Sequence, residues 1–375
     1  MANIGAFITV FALNNIVYKP SFTIAMIFVG IYFIKKVFLK KEIDLPKIDK
    51  RIMLAMKIFS GCIMLSCILH GSQKEMVAGA QYIYWMLPFF MFAYLGNECN
   101  INKGVSIGLL CSVFFICGYG IYQYFNLHFG RINSFYSSPN YFGTILAMLI
   151  PFLFSYIKKE KNNIIKFFFI FASFMGLVSL FLTESRGALC GLIVGVICYG
   201  ILDFLYVRRI NKKTLYVMSA VLCIVFIISI TALGNFKRSY DNERIYIFQS
   251  SINMWKDNKL IGVGVGNFGV NYQNRYILPQ AHEKNIDKSH NIITAFLAET
   301  GIIGTVGFIS MNLLLLFYVI SRMKKAPNNY LFSAMFVSFI ALNIHGMVDS
   351  TFNYQAINRL FWGLLGISYI SDNKY

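Results

Sequence analysis

The chain has 375 residues, of which 57% are hydrophobic and 13% charged, roughly half the charged share of an ordinary soluble domain. A formal net charge of +18 would suit a nucleic-acid partner, but the lysines and arginines cluster in short loops between apolar runs, which argues against a basic nucleic-acid-binding face. Apolar runs of 18 or more residues recur along the whole length, and the alternating ten-residue segments of a membrane barrel are missing.

In chain order, apolar segments fall at approximately 2–18, 21–39, 52–71, 79–96, 104–125, 140–157, 167–183, 187–207, 214–234, 291–320, 331–350 and 357–370. They predict an all-α polytopic membrane protein of about twelve transmembrane helices, a single transmembrane domain over residues 1–375. The N-terminus has no basic region and no small-residue cleavage site, so it reads as a retained first helix. With that terminus inside, the basic stretches KKEIDLPKIDKR (40–51), KKEKNN (158–163), RRINKK (208–213) and SRMKK (321–325) all face the cytoplasm.

The opposite side then receives RINSFYSSPN (131–140), the ESRG break (184–187), an extracytoplasmic loop over 235–290 and the turn from Asp349 to Arg359. That long loop carries eight Lys or Arg against five acidic residues, and charge bias constrains long loops less than short ones. Within it, ERIYIFQSSINMW sets Ile245, Phe248, Ile252 and Trp255 at helical spacing. This is an amphipathic helix that either lies on the membrane surface or packs against the bundle. Seven of the eight cysteines sit in apolar runs with no CxxC, which supports neither a zinc site nor a disulfide framework.

Few polar side chains could carry chemistry. Arg186 sits in a tight turn between two apolar segments, where a guanidinium is costly unless it meets water, a carboxylate or a ligand. It either snorkels or pairs with Glu184, or it clamps an anion, since its fork matches phosphate oxygens bidentately. Arg131, Arg244 and Arg275 are expected on the same side and could complete a pyrophosphate site, if they converge.

Among five histidines, His290 stands out at the junction of the long loop with an apolar helix. Histidine side chains titrate near neutrality, so an imidazole there could take a proton from an attacking hydroxyl. Glu299 lies nine residues on, about half a turn away around a helix, and so is a poor partner for His290. Gly301, Gly304 and Gly307 suit close helix packing or a helix break, with packing favoured. Asp349 and Arg359 form either an ion pair or part of an acceptor site, the ion pair being preferred.

The GVGVGNFG run (262–269) lacks the strand–turn–helix context of a nucleotide loop and reads as a tight turn whose N–H groups could approach substrate. No HExxH or DxD occurs, which favours a metal-independent mechanism.

Several stretches together resemble the O-antigen ligase and polymerase superfamily: RINSFYSSPNYFG (131–143), LTESRGALCGL (182–192), ERIYIFQSSINMWKDNKLIGVGVGNF (243–268), SHNIITAFLAETGIIGTVGF (289–308) and HGMVDSTF (345–352). The order and spacing of these motifs carry the resemblance across roughly residues 130–365. It implies a helical GT-C-like fold and transfer of a glycan from an undecaprenyl-pyrophosphate donor on the outer face of the bacterial plasma membrane. The acceptor would be lipid A–core for a ligase or a lipid-linked repeat unit for a polymerase, with no cofactor. By motif, Arg186 and Arg244 would hold the donor pyrophosphate and His290 would be the acceptor base. A transporter or flippase is the contrasting class. It is disfavoured because the charged break at 184–186 has no counterpart in the other half of the chain.

Overall fold

A computed structural model describes residues 2–14, 19–38, 46–207, 213, 216 and 240–370. The predicted segment 214–234, apart from Tyr216, and the start of the long loop lie outside these residues. The helices are α1 Ala2–Asn14, α2 Lys19–Phe38, α3 Lys50–His70, α4 Gln73–Tyr84, α5 Leu87–Glu98, α6 Asn102–Phe125 and α7 Pro139–Lys159. They continue with α8 Asn163–Leu182, α9 Arg186–Leu202, α10 Tyr240–Asp257, α11 Ile292–Lys325, α12 Tyr330–Gly346 and α13 Gln355–Ile370. No strand occurs among the described residues.

By length and composition, seven stretches of these helices are long and apolar enough to cross a membrane. Shorter apolar helices occupy Ala2–Phe11, Thr23–Lys35 and Tyr330–Gly346. The predicted span 79–96 is in fact two helices, broken at Trp85 and Met86. Pro88 explains the break, because it has no N–H for a continuing α4 and is tolerated in the first turn of α5.

The bundle centres on α7, α9 and α12, with α11 packed on α3 and α10 laid against α11. In α10 the buried face is Glu243, Ile247, Ser250, Ser251 and Met254. Of the stripe expected from spacing, Ile245 and Phe248 are exposed. The helix therefore packs through a small, partly polar face, and two of the four apolar residues that define the stripe in the sequence, Ile245 and Phe248, lie outside it.

The longest helix, α11, is broken at Gly301, where φ is 61° and ψ is −158°. Two rungs of its hydrogen-bond ladder are lost there, and the glycine loop replaces them. Ile302 N donates to Lys259 O at 2.9 Å and Ile303 N to Leu260 O at 3.2 Å. In return Val263 N donates to Ala298 O at 2.7 Å and Gly264 N to Glu299 O at 3.0 Å. Unpaired backbone groups in an apolar setting are costly, so a helix break at this point requires such a splint. Gly262 and Gly301 both have positive φ, and a Cβ on either would run into the other segment's backbone. The splint is tied to α3 as well, since Ser66 Oγ donates to Ile261 O at 3.0 Å and His70 Nε2 lies 3.1 Å from it.

This arrangement corrects two expectations. The N–H groups of Val263, Gly264 and Gly266 are taken up by the broken helix, and that of Gly262 by Asn258 O, rather than offered to substrate. Gly301 is the helix break, not a packing glycine.

Candidate active site

At one end of the bundle four segments meet, and hydrogen bonds trace the connection. His290, in the last residues before α11, has Nδ1 3.5 Å from Asp349 Oδ1. The separation is longer than an ordinary hydrogen bond, so this is a close polar contact. Asp349 is almost fully buried and also accepts from Ser350 N at 2.8 Å and Asn140 Nδ2 at 3.1 Å. The Oδ1 of Asn140 in turn accepts from Arg131 Nη2 at 3.0 Å. Arg131 Nε donates to Thr183 O at 3.0 Å and lies 3.9 Å from Glu184 Oε2. One polar chain thus runs from the turn before Arg186, through Arg131, Asn140 and Asp349, to His290.

Each anchor has a local cause. Helix α12 stops at Gly346, so Asp349 lies in a turn rather than within the predicted span to 350, and Thr351 Oγ1 reaches back to Leu342 O at 3.3 Å. Ser289 Oγ accepts from Ser251 Oγ of α10 at 3.0 Å and lies 2.8 Å from Thr294 Oγ1. Asn291 caps α11 by accepting from Ile293 N and Thr294 N. The residues on both sides of His290 are therefore fixed, while its side chain remains 29% exposed. Among the described residues Nε2 of His290 has no protein hydrogen-bond partner, and it is the nitrogen opposite the Asp349-facing edge.

Burial pushes the Asp349 carboxyl up, but His290, with His345 and Ser350 N, outweighs it and holds the group well below the usual carboxylate range. Asp349 is thus ionised and offers a fixed acceptor to the Nδ1 edge of His290.

Arg186 is the first residue of α9, directly after the turn Thr183–Ser185, in which Glu184 has φ of 49°. A non-glycine residue there stores about 1–3 kcal/mol, which surrounding contacts must offset. Next to Arg186, Gly187 lies against His345 and Val348 so closely that a Cβ would overlap the imidazole. His345 Nδ1 is 2.9 Å from Thr144 Oγ1, which binds α12 to α7 beneath the turn. Arg244 on α10 is half-buried and near enough for its charge to be felt at His345. Its helix face also carries Ile247 and Ser251, and Ser251 holds the residue before His290.

The structure therefore draws together His290, Asp349, Arg131 and the Arg186 turn, with Arg244 close enough for its charge to act at His345. Arg131 serves as a strut between Asn140 and Thr183 rather than an open anion ligand. Arg275 is elsewhere: it pairs with Asp257 Oδ2 at 3.0 Å and its side chain is 68% exposed. Asp257 ends α10, thirteen residues past Arg244, about 20 Å along the helix.

Arg359 lies over the Tyr84 ring at 5.1 Å and does not pair with Asp349, which His290, Asn140 and Ser350 already surround. Glu299 turns away from His290 into the splint, accepting from Gly266 N at 3.2 Å. Sequence reasoning missed Asn140 and the Asp349–His290 pairing, because both link segments far apart in the chain.

Beside the Arg186 turn, an apolar groove of ≈ 650 Å³ runs between α7, α8, α9 and α12. Phe181 and Leu189 line it near the turn, then Val196 and Val337, and Tyr330 closes the far end with Lys158 stacked on its ring at 4.8 Å. Among the described residues, no group of three or more His, Cys, Asp or Glu side chains is placed to hold a metal ion.

Residues 171–309 match the family described as O-antigen ligase. The match takes in Arg186, Arg244, His290 and Glu299, whereas Arg131, Asn140 and Asp349 fall outside it. No curated protein matches the chain in sequence.

Proposed function

We propose, from the match of residues 171–309 to the O-antigen ligase family, that the chain transfers a glycan from an undecaprenyl-pyrophosphate donor to an acceptor hydroxyl at the extracytoplasmic face of the bacterial plasma membrane. The preferred acceptor is lipid A–core, which makes the protein an O-antigen ligase. The observation that carries this reading is the meeting of the His290–Asp349 pair with the Arg186 turn at the mouth of an apolar groove.

The chemistry follows from those groups. The polyprenyl tail lies in the groove between α8 and α9, which sets the pyrophosphate beside Arg186 and Arg244. The acceptor hydroxyl oxygen attacks the anomeric carbon while the bond from that carbon to the phosphate oxygen breaks. The hydroxyl proton passes to Nε2 of His290, and Asp349 steadies the imidazolium that results. The leaving group departs as a pyrophosphate anion, and the two guanidiniums and the first N–H groups of α9 stabilise its growing charge. Because arginines supply that charge, the reaction is metal-independent in this reading. Turnover by the purified protein should survive chelation, and recovery only on adding a divalent cation would overturn this point.

A glycan gel of a deletion strain separates the two acceptors. Loss of a ligase leaves bare core, with full-length polymer stranded on its lipid carrier. Core capped by a single repeat unit would instead identify a polymerase, and an unchanged gel would overturn both readings.

A further inference from the structure

We infer that Lys288 is a positioning residue for glycan transfer, clamping the turn that carries Asp349 against the segment that carries His290. The role rests on the transferase reading above. Residues 288–291 run antiparallel to 347–353, joined by three cross-links. Asn291 Nδ2 donates to Met347 O at 2.9 Å, His290 Nδ1 faces Asp349 Oδ1 at 3.5 Å, and Lys288 Nζ donates to Asn353 O at 2.7 Å. Asp349 is thus bracketed, by Asn291 on its α12 side and by Lys288 on the other. The loosest of the three links is the one that does the chemistry, so its geometry depends on the two around it.

The ammonium of Lys288 is also held in place from a second direction. It stands over the Tyr354 ring at 4.2 Å, and that ring packs on Tyr141 of α7 at 4.7 Å between centroids. Tyr141 Oη accepts from Ala356 N at 3.2 Å, which fixes the start of α13. The lysine therefore ties the His290 segment to the α7–α13 corner as well as to the Asp349 turn. Burial lowers its pKa, and the charges of Glu299, Asp349 and Asp287 oppose that shift. Desolvating an ammonium is costly, and here the Asn353 carbonyl and the Tyr354 ring offset that cost while fixing where the charge sits. Misplacing a catalytic pair by about 1 Å can cost on the order of 100-fold in rate, and loosening one bracket should cost less.

The test is initial-rate kinetics on detergent-purified protein, with a synthetic polyprenyl-pyrophosphate glycan and a core acceptor. The variants are Lys288→Met, Lys288→Gln, Lys288→Arg, Asp349→Asn and the Lys288→Met/Asp349→Asn double. Lys288→Met should lower kcat on the order of 10-fold with KM for donor within about twofold. Lys288→Arg, which keeps a donor and a cation for the ring, should recover most of the loss. In the Asp349→Asn background Lys288→Met should cost under about twofold, because the lysine acts through that carboxylate.

Additive losses, a change confined to KM, or wild-type kcat in Lys288→Met would overturn the role. If Lys288→Met is not recovered folded, Lys288→Gln serves, with an expected fall in kcat of about threefold, and wild-type kcat there has the same force. Absence of turnover by the wild type would overturn the transferase reading and this role together, whereas the variants bear on Lys288 alone.

Discussion

His290→Ala is expected to reduce glycan transfer by about 10²–10⁴-fold while leaving the amount of protein in the membrane unchanged. The position argues for both halves of that result. Its neighbours Ser289 and Asn291 hold the chain through bonds that do not involve the imidazole. Asp349 keeps Asn140 and Ser350 N as donors when the ring is removed. Transfer in cells at the parental level would remove His290 as the base.

The same variant has a signature in acid. A carboxyl held below its unfolded pKa contributes stability that is present above the ordinary carboxylate range and is lost as pH falls through the depressed value. Taking away His290 removes a lowering influence and leaves the burial that raises Asp349. The Ala variant should therefore lose thermal stability at a higher pH than the parent during acid titration, and superimposable melting curves would contradict the pairing.

Arg186→Lys should be nearly as damaging as Arg186→Ala, each costing on the order of 10²–10³-fold in turnover. A lysine keeps the charge but not the planar fork that holds two phosphate oxygens at once. The site leaves little freedom for a replacement to adjust, because Gly187 is packed on His345 and Glu184 is already in a strained conformation. Initial rates with a polyprenyl-pyrophosphate glycan would check this, and a lysine variant that turns over like the parent would rule out a bidentate clamp.

Much of this was legible in sequence, for reasons that differ from residue to residue. Hydropathy marks membrane helices because the bilayer requires long apolar runs, and α6 to α9 follow the predicted segments closely. Arg186 and His290 stand out because polar groups are scarce in such a chain. The partners of those residues were less visible. Asp349 paired on paper with Arg359, the nearest opposite charge in its turn, whereas its actual partners come from segments 59 and 209 residues away. The predicted side of the membrane alone groups Arg275 with the other arginines, and an ion pair at the far end of α10 removes it. The α10 stripe is real as a spacing, but the buried face also takes in Glu243, Ser250 and Ser251, and the hydrogen bonds that hold Glu243 and Ser251 there are ones hydropathy does not register.

The splinted break in α11 also sets the unit in which this fold can be recombined. Residues 259–264 and 298–303 exchange four backbone bonds, and each segment supplies the partners that the other lacks. A chimera that takes the loop from one relative and the helix from another must match backbone geometry at Gly262 and Gly301 together, though no side-chain pairing would reveal the dependence. The long loop and the helix that follows His290 behave as one inherited block, and a crossover point for building hybrid enzymes belongs before residue 259 or after residue 303.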